Sequence, residues 1–135
     1  MIPLTKRTDR VLSELPAMVN REAKGKRLQK LPSSDFYLLI SETAREEQKE
    51  LERLLESGLN EEYASMRRRF EIRGNLVKDL VENRIRKVLI LALFEKNALE
   101  GIVNSENTLT QEEERLRIRA RALVLEFMND LGVPP

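Results

Sequence analysis

From Leu59 to Ala92, apolar residues return at threes, fours and one seven: Leu59, Tyr63, Met66, Phe70, Val77, Val81, Ile85, Val88 and Ala92. Such recurrence puts one side chain per turn on one face of an α-helix. Gly74 is the only interior breaker, and a lone Gly costs about 1 kcal/mol without ending a helix. The spacing therefore predicts one helix of about forty residues and about 60 Å, with Gly74 as its one place to bend. A compact domain of this size needs nothing so long, so the helix must project or be covered by other subunits. Its last turns, Val88 to Phe94, are apolar all round and are expected at the centre of the core.

The rest of the chain reads as helix too. No stretch alternates apolar and polar residues as a strand would, and the five Gly and five Pro punctuate clearly. A first helix is expected from near Thr5 or Thr8, carrying Val11, Leu12 and Leu15. Pro16 should end or kink it, with Met18 and Val19 continuing to about Glu22. A second starts after Pro32, with Ser33 or Ser34 as N-cap and Asp35 in the first turn. It carries Phe36, Ile40, Ala44, Leu51 and Leu55 on one face. Its middle has only Ala44 as an apolar residue, so it is exposed or faces another ion-rich helix. Glu46 with Lys49 and Glu50 with Arg53 sit one turn apart there. Gly58 supplies a left-handed terminus. Asn60 is the expected N-cap of the long helix, with Glu61 and Glu62 behind it.

Thr110 to Glu113 is a capping box opening the last helix, whose stripe is Leu116, Ala120, Leu123, Phe127 and Leu131. The stretch Gly101 to Leu109 reads as a polar loop. The expectation is an all-α bundle of about four helices with a long third one. Residues 1–131 form a single helical domain and 132–135 a linker-like end.

Composition removes whole classes of chemistry. There is no Cys and no His. No thiol nucleophile, Cys/His zinc site, Ser-His-Asp triad or histidine acid-base pair can be built. Helical-bundle carboxylate metal sites want Glu-x-x-His elements, which this chain lacks. Glu46-Glu47, Glu61-Glu62 and Glu112-Glu113-Glu114 are better explained by capping and solvation. No Gly-rich phosphate loop exists. The seven-residue apolar run cannot span a bilayer, and no secretory h-region opens the chain. The reading is a non-enzymatic protein without metal or cofactor, cytoplasmic and not membrane-bound.

The charge is uneven. Residues 1–30 carry Lys6, Arg7, Arg10, Arg21, Lys24, Lys26, Arg27 and Lys30 against Asp9, Glu14 and Glu22, a net +5 that leaves −4 elsewhere. Lys24, Lys26 and Arg27, with Arg67, Arg68 and Arg69, are candidates for electrostatic contact. A DNA footprint needs one-sided clustering, and three consecutive arginines on a helix cannot face one way. Glu113 with Arg117 and Glu82 with Arg86 are i,i+4 pairs. Arg84 and Lys87 enter directly into the most apolar run. They either snorkel along the core edge or pair with a carboxylate from another helix or subunit, and the bidentate geometry of Arg favours pairing.

Three segments together resemble the GINS proteins of archaeal and eukaryotic DNA replication. Leu31-Pro32-Ser33-Ser34-Asp35-Phe36-Tyr37 is similar to the opening of their helical domain, with two residues between Pro and Asp where the family pattern has one. Glu82 to Ala92 resembles the family's Arg-x-x-Lys-apolar-x-x-x-Ala stretch. Thr110 to Leu116 matches an acidic helix start before the last helix. The resemblance covers about residues 8–131. It implies a helical A domain of the A-domain-first type, with a β-rich B domain absent or removed. It implies a subunit of a hetero- or homotetrameric replisome scaffold, nucleoid-associated, joining the MCM helicase to a RecJ-like partner and to primase.

On that reading the core or interface residues are Phe36, Tyr37, Tyr63, Phe70, Arg84, Lys87, Val88, Ala92, Phe94, Leu116 and Phe127. Phe36 and Tyr37 would pack the second helix on the third. Arg84 and Lys87 would structure the core edge or a subunit boundary, so reversing the charge of Arg84 should loosen the oligomer. The alternatives are a basic helical DNA-binding module and a generic helical oligomerisation adaptor.

Overall fold

The computed structural model describes residues 12–93 and 109–133. Among them are four α-helices and no strand: α1 Leu15–Lys24, α2 Phe36–Glu56, α3 Asn60–Leu93 and α4 Gln111–Asp130. The expected helix start at Thr5 or Thr8, the residues Val11 and Phe94, and the loop from Gly101 to residue 108 lie outside the described residues.

Leu12 and Ser13 are helical, Glu14 is a turn and α1 begins at Leu15, so the expected break falls just before Pro16. Pro16 itself sits in the first turn of α1, where its missing N–H has no intrahelical partner to lose and its fixed φ already suits a helix. α2 opens differently from expectation. Asp35 is the cap residue and Phe36 the first helical one. The Ser33 hydroxyl donates to the Asp35 carboxylate instead of capping, and the Phe36 N–H reaches the Ser33 carbonyl at 3.2 Å. The buried face of α2 is Phe36, Leu39, Leu51 and Leu54, so the stripe is turned from the expected one and Leu55 is exposed.

Gly58 has φ 71°, the left-handed region that a residue without Cβ adopts at no steric cost. α2 and α3 thereby form a hairpin. α3 spans 34 residues, about 51 Å, and runs through Gly74 unbroken. Asn60 is its first helical residue, not its cap. Facing α2, Glu47 and Arg73 form an ion pair, so of the two expectations for the sparse middle of α2 it is the ion-rich contact that occurs there.

Two apolar clusters make the core. Leu15, Met18, Leu31, Phe36, Leu39 and Leu80 join α1, the following linker, α2 and α3. Leu28, Val88 and Leu91 form the second, with Leu109 and Leu116 packed on it. The run from Val88 is not buried all round: Leu89 and Leu93 are exposed. α4 lies beside the C-terminal part of α3 and runs in the same direction. Its start meets Arg84, and Arg121 reaches the carbonyls of Ala92 and Leu93 at 3.4 Å.

A buried ion-pair cluster as the candidate functional site

On α3 the core face steps from Leu80 to Arg84, then to Lys87, Val88 and Leu91. Two cations therefore occupy the register between the apolar clusters. Arg84 is fully buried, and an unpaired buried charge would be prohibitively costly. Each neighbouring element supplies an acceptor.

α4 presents Glu113. Arg84 donates to it through Nε at 2.6 Å and Nη2 at 2.7 Å, a bidentate fork that only a planar guanidinium makes. α1 presents Glu22, 2.7 Å from Arg84 Nη1. The same nitrogen donates to the Gln29 carbonyl at 2.5 Å. Lys87 donates to the other Glu22 oxygen and, at 2.8 Å each, to the carbonyls of Glu22 and Arg27. The Gln29 N–H returns a bond to Glu22 at 3.2 Å. From α2, the Tyr37 hydroxyl donates to Glu113 at 2.6 Å. Two cations meet two carboxylates, so the cluster is neutral, and it ties all four helices to the linker after α1.

Local sequence explains how each carboxylate gets there. Glu22 falls one helical repeat beyond Leu15 and Met18 on the buried face of α1. Glu113 is the N3 residue of α4, held by the capping box. Thr110 Oγ1 accepts from the Glu113 N–H at 3.1 Å, and the Glu113 carboxylate accepts from the Thr110 N–H at 3.0 Å. One side chain thus caps a helix and neutralises a buried arginine.

Titration follows the geometry. Burial works to raise Glu113, but the Arg84 hydrogen bonds and charge, then Thr110 and Tyr37, outweigh it and hold the carboxyl below its usual range. Burial works to lower Arg84, and Glu113 and Glu22 more than reverse it. Burial first, then Glu113, pushes Tyr37 strongly upward. Arg84 and Glu113 are thereby held in their charged forms and Tyr37 as a hydrogen-bonded phenol.

The other sequence candidates scatter. Phe36 is buried and meets Tyr37 edge-on at 5.8 Å. Val88 and Ala92 are buried, and Leu116 half-buried. Tyr63 and Phe70 are half-buried far up α3. Phe70 lines a small cavity of about 140 Å³ between α2 and α3. Phe127 is exposed, not core. Ile85, expected on the core stripe, is exposed too, because the buried face passes through Arg84 instead. Arg84 and Lys87 are buried within the chain and pair with its own carboxylates.

Lys24, Lys26, Arg27, Arg67, Arg68 and Arg69 are exposed. Arg67 pairs with Glu71 at 2.9 Å, and Arg69 stands beside Glu50, Glu61 and Glu62. Arg27 lies by Lys87, roughly 30 Å along α3 from Arg67, so the two basic groups do not share a patch. Arg117 pairs with Glu114 rather than Glu113, and Glu82 lies 3.9 Å from Lys78.

Sequence reasoning missed Glu22 altogether and read Glu113 only as a cap and a partner for Arg117. The signal for Glu22 was its place on the apolar face of α1. Among the described residues no group of three or more acidic side chains could hold a metal ion, and no helix is long and apolar enough to cross a membrane. The fold and cluster define an all-helical domain, among its described residues, pinned by internal ion pairs. No protein-family model, curated protein or solved structure matches this chain.

Proposed function

We propose that the chain is a non-catalytic replisome scaffold of the GINS type, a helical A domain that assembles with other GINS subunits and joins the MCM helicase to a RecJ-like partner and primase. One observation carries the reading. The three segments that resemble the family are distant in sequence, yet each sends a side chain to one cluster: Tyr37, Arg84 with Lys87, and Glu113. A resemblance by chance composition has no reason to converge in space. The locked groups of the cluster and the apolar surface of α4 favour a rigid binding platform over a reaction centre. The two separated basic groups weigh against the DNA-binding module, which needs one-sided charge.

The test is co-purification. The chain, mixed with a second GINS-type subunit, should form a stable assembly that retains MCM and a RecJ-like protein at moderate salt. Capture of neither overturns the reading. Affinity for duplex DNA that falls steeply with salt would replace it with the DNA-binding module.

A further inference from the structure

We infer that the C-terminal half of α4 is a self-association surface that takes the same helix of a second copy, antiparallel, about a two-fold axis. Among the described residues α3 and α4 run side by side as far as Arg121, which meets the carbonyls of Ala92 and Leu93. α4 then continues to Asp130, roughly 13 Å further. The stripe that packs through Leu116 and Ala120 continues there as Leu123, Phe127 and Leu131. These are 66%, 63% and 63% exposed among the described residues, spaced four apart on one face.

Charge names the occupant. Beside that apolar stripe runs a second exposed strip: Arg115 and Arg119, then Glu126 and Asp130. At about 100° per residue these four lie within roughly 60° of one another. The strip is basic at one end and acidic at the other. Like charges four residues apart repel within one helix, and α4 has no base in its last turn to offset the acids at its negative end. None of these four forms an ion pair with another described residue. A parallel copy packed on the same stripe would turn the two strips to opposite sides and leave the repulsion unrelieved. An antiparallel copy relieves it twice, bringing Arg119 within a turn of the partner's Asp130 at each end. The same register lays Leu123 on the partner's Phe127. Such self-complementarity is what an isologous contact demands.

The surface is one helix wide, so the contact belongs to the small, concentration-dependent class of interface. The inference does not rest on the replication reading, since helicase capture and self-association are read separately.

The experiment is sedimentation velocity on the full chain across the micromolar range, with circular-dichroism melts as a fold control. A monomer–dimer equilibrium is expected. Phe127→Glu should abolish the dimer. Arg119→Asp and Asp130→Arg should each weaken it about tenfold or more, and the double variant should regain most of the loss. A chain monomeric throughout, its stripe covered by its own other residues, overturns the inference. So does a dimer indifferent to Phe127→Glu, or a charge swap that restores nothing in variants whose melts match the parent.

Discussion

Arg84 is where the largest energies meet. Removing one member of a buried, hydrogen-bonded ion cluster strands the others. Arg84→Met leaves Glu113 and one Glu22 oxygen facing the core without their cation. It should cost about 3–5 kcal/mol by denaturant unfolding. Arg84→Lys should recover only part, because an ammonium cannot make the fork to Glu113. Tyr37→Phe removes one donor from a carboxylate that keeps its arginine, and should cost about 1.5–3 kcal/mol.

The pH dependence has a definite sign. Glu113 titrates below its ordinary 4.5 in the folded chain. Its contribution is therefore complete above pH 4.5 and is lost as pH falls through the lower folded value. Stability measured from pH 6 downward should fall more steeply in the parent than in Glu113→Gln, which starts less stable. Parallel curves would mean that Glu113 does not carry the acid sensitivity. Neither expectation was open to a reading of sequence alone. Arg84 and Lys87 stood out because charge interrupts an apolar run, but nothing local says which of 23 acids will meet them. That is settled by how α1 and α4 dock.

At the scale of elements, what was legible followed from backbone chemistry. The capping box at Thr110 and the left-handed Gly58 and Gly132 (φ 74°) stand where turn and cap rules place them. What was not legible was rotation. On α2 the buried leucines are Leu39 and Leu54 rather than Ile40 and Leu55, since adjacent apolar residues compete for one face and the packing against α1 and α3 decides. On α3 the same ambiguity put Ile85 in the expected core and Arg84 at its edge, whereas the structure has the reverse. Pro16 was legible as a break: the helix is interrupted at Glu14, and the proline itself fits the first turn of the helix that follows.

Gly74 gives the clean element-scale test. It lies inside α3, and a Cβ built on it meets nothing within 4 Å. The helix keeps its course there without needing glycine. Gly74→Ala should raise stability by about 0.5–1 kcal/mol through lower unfolded-state entropy and better helix propensity. A loss on thermal or denaturant unfolding would show that the site needs glycine for close approach by another chain.

For the molecule as a whole, the long third helix divides it into unequal parts. Every buried residue of α3 lies from Leu80 onward. There α1, the linker and α4 close around the helix and the ion cluster bridges two apolar clusters. Toward its start, among the described residues, α3 packs chiefly on α2, with Leu12 beside Phe70 and Val77, and Leu51 and Leu54 are the buried residues of that arm. Few buried contacts mean cheap local opening. Native-state hydrogen exchange should therefore show a gradient along one continuous helix. Amides near Leu80 to Ala92 should exchange only through global unfolding, and those near Tyr63 to Ile72 through opening of the hairpin arm at a lower free energy. Arg84→Met should flatten the gradient by lowering the first group toward the second, because it weakens the junction and leaves the arm's contacts untouched. Uniform protection in the parent chain, at concentrations where it is monomeric, would mean that the arm is as firmly held as the junction. The cluster would then be one contact among many rather than the point from which the two ends of the molecule are braced.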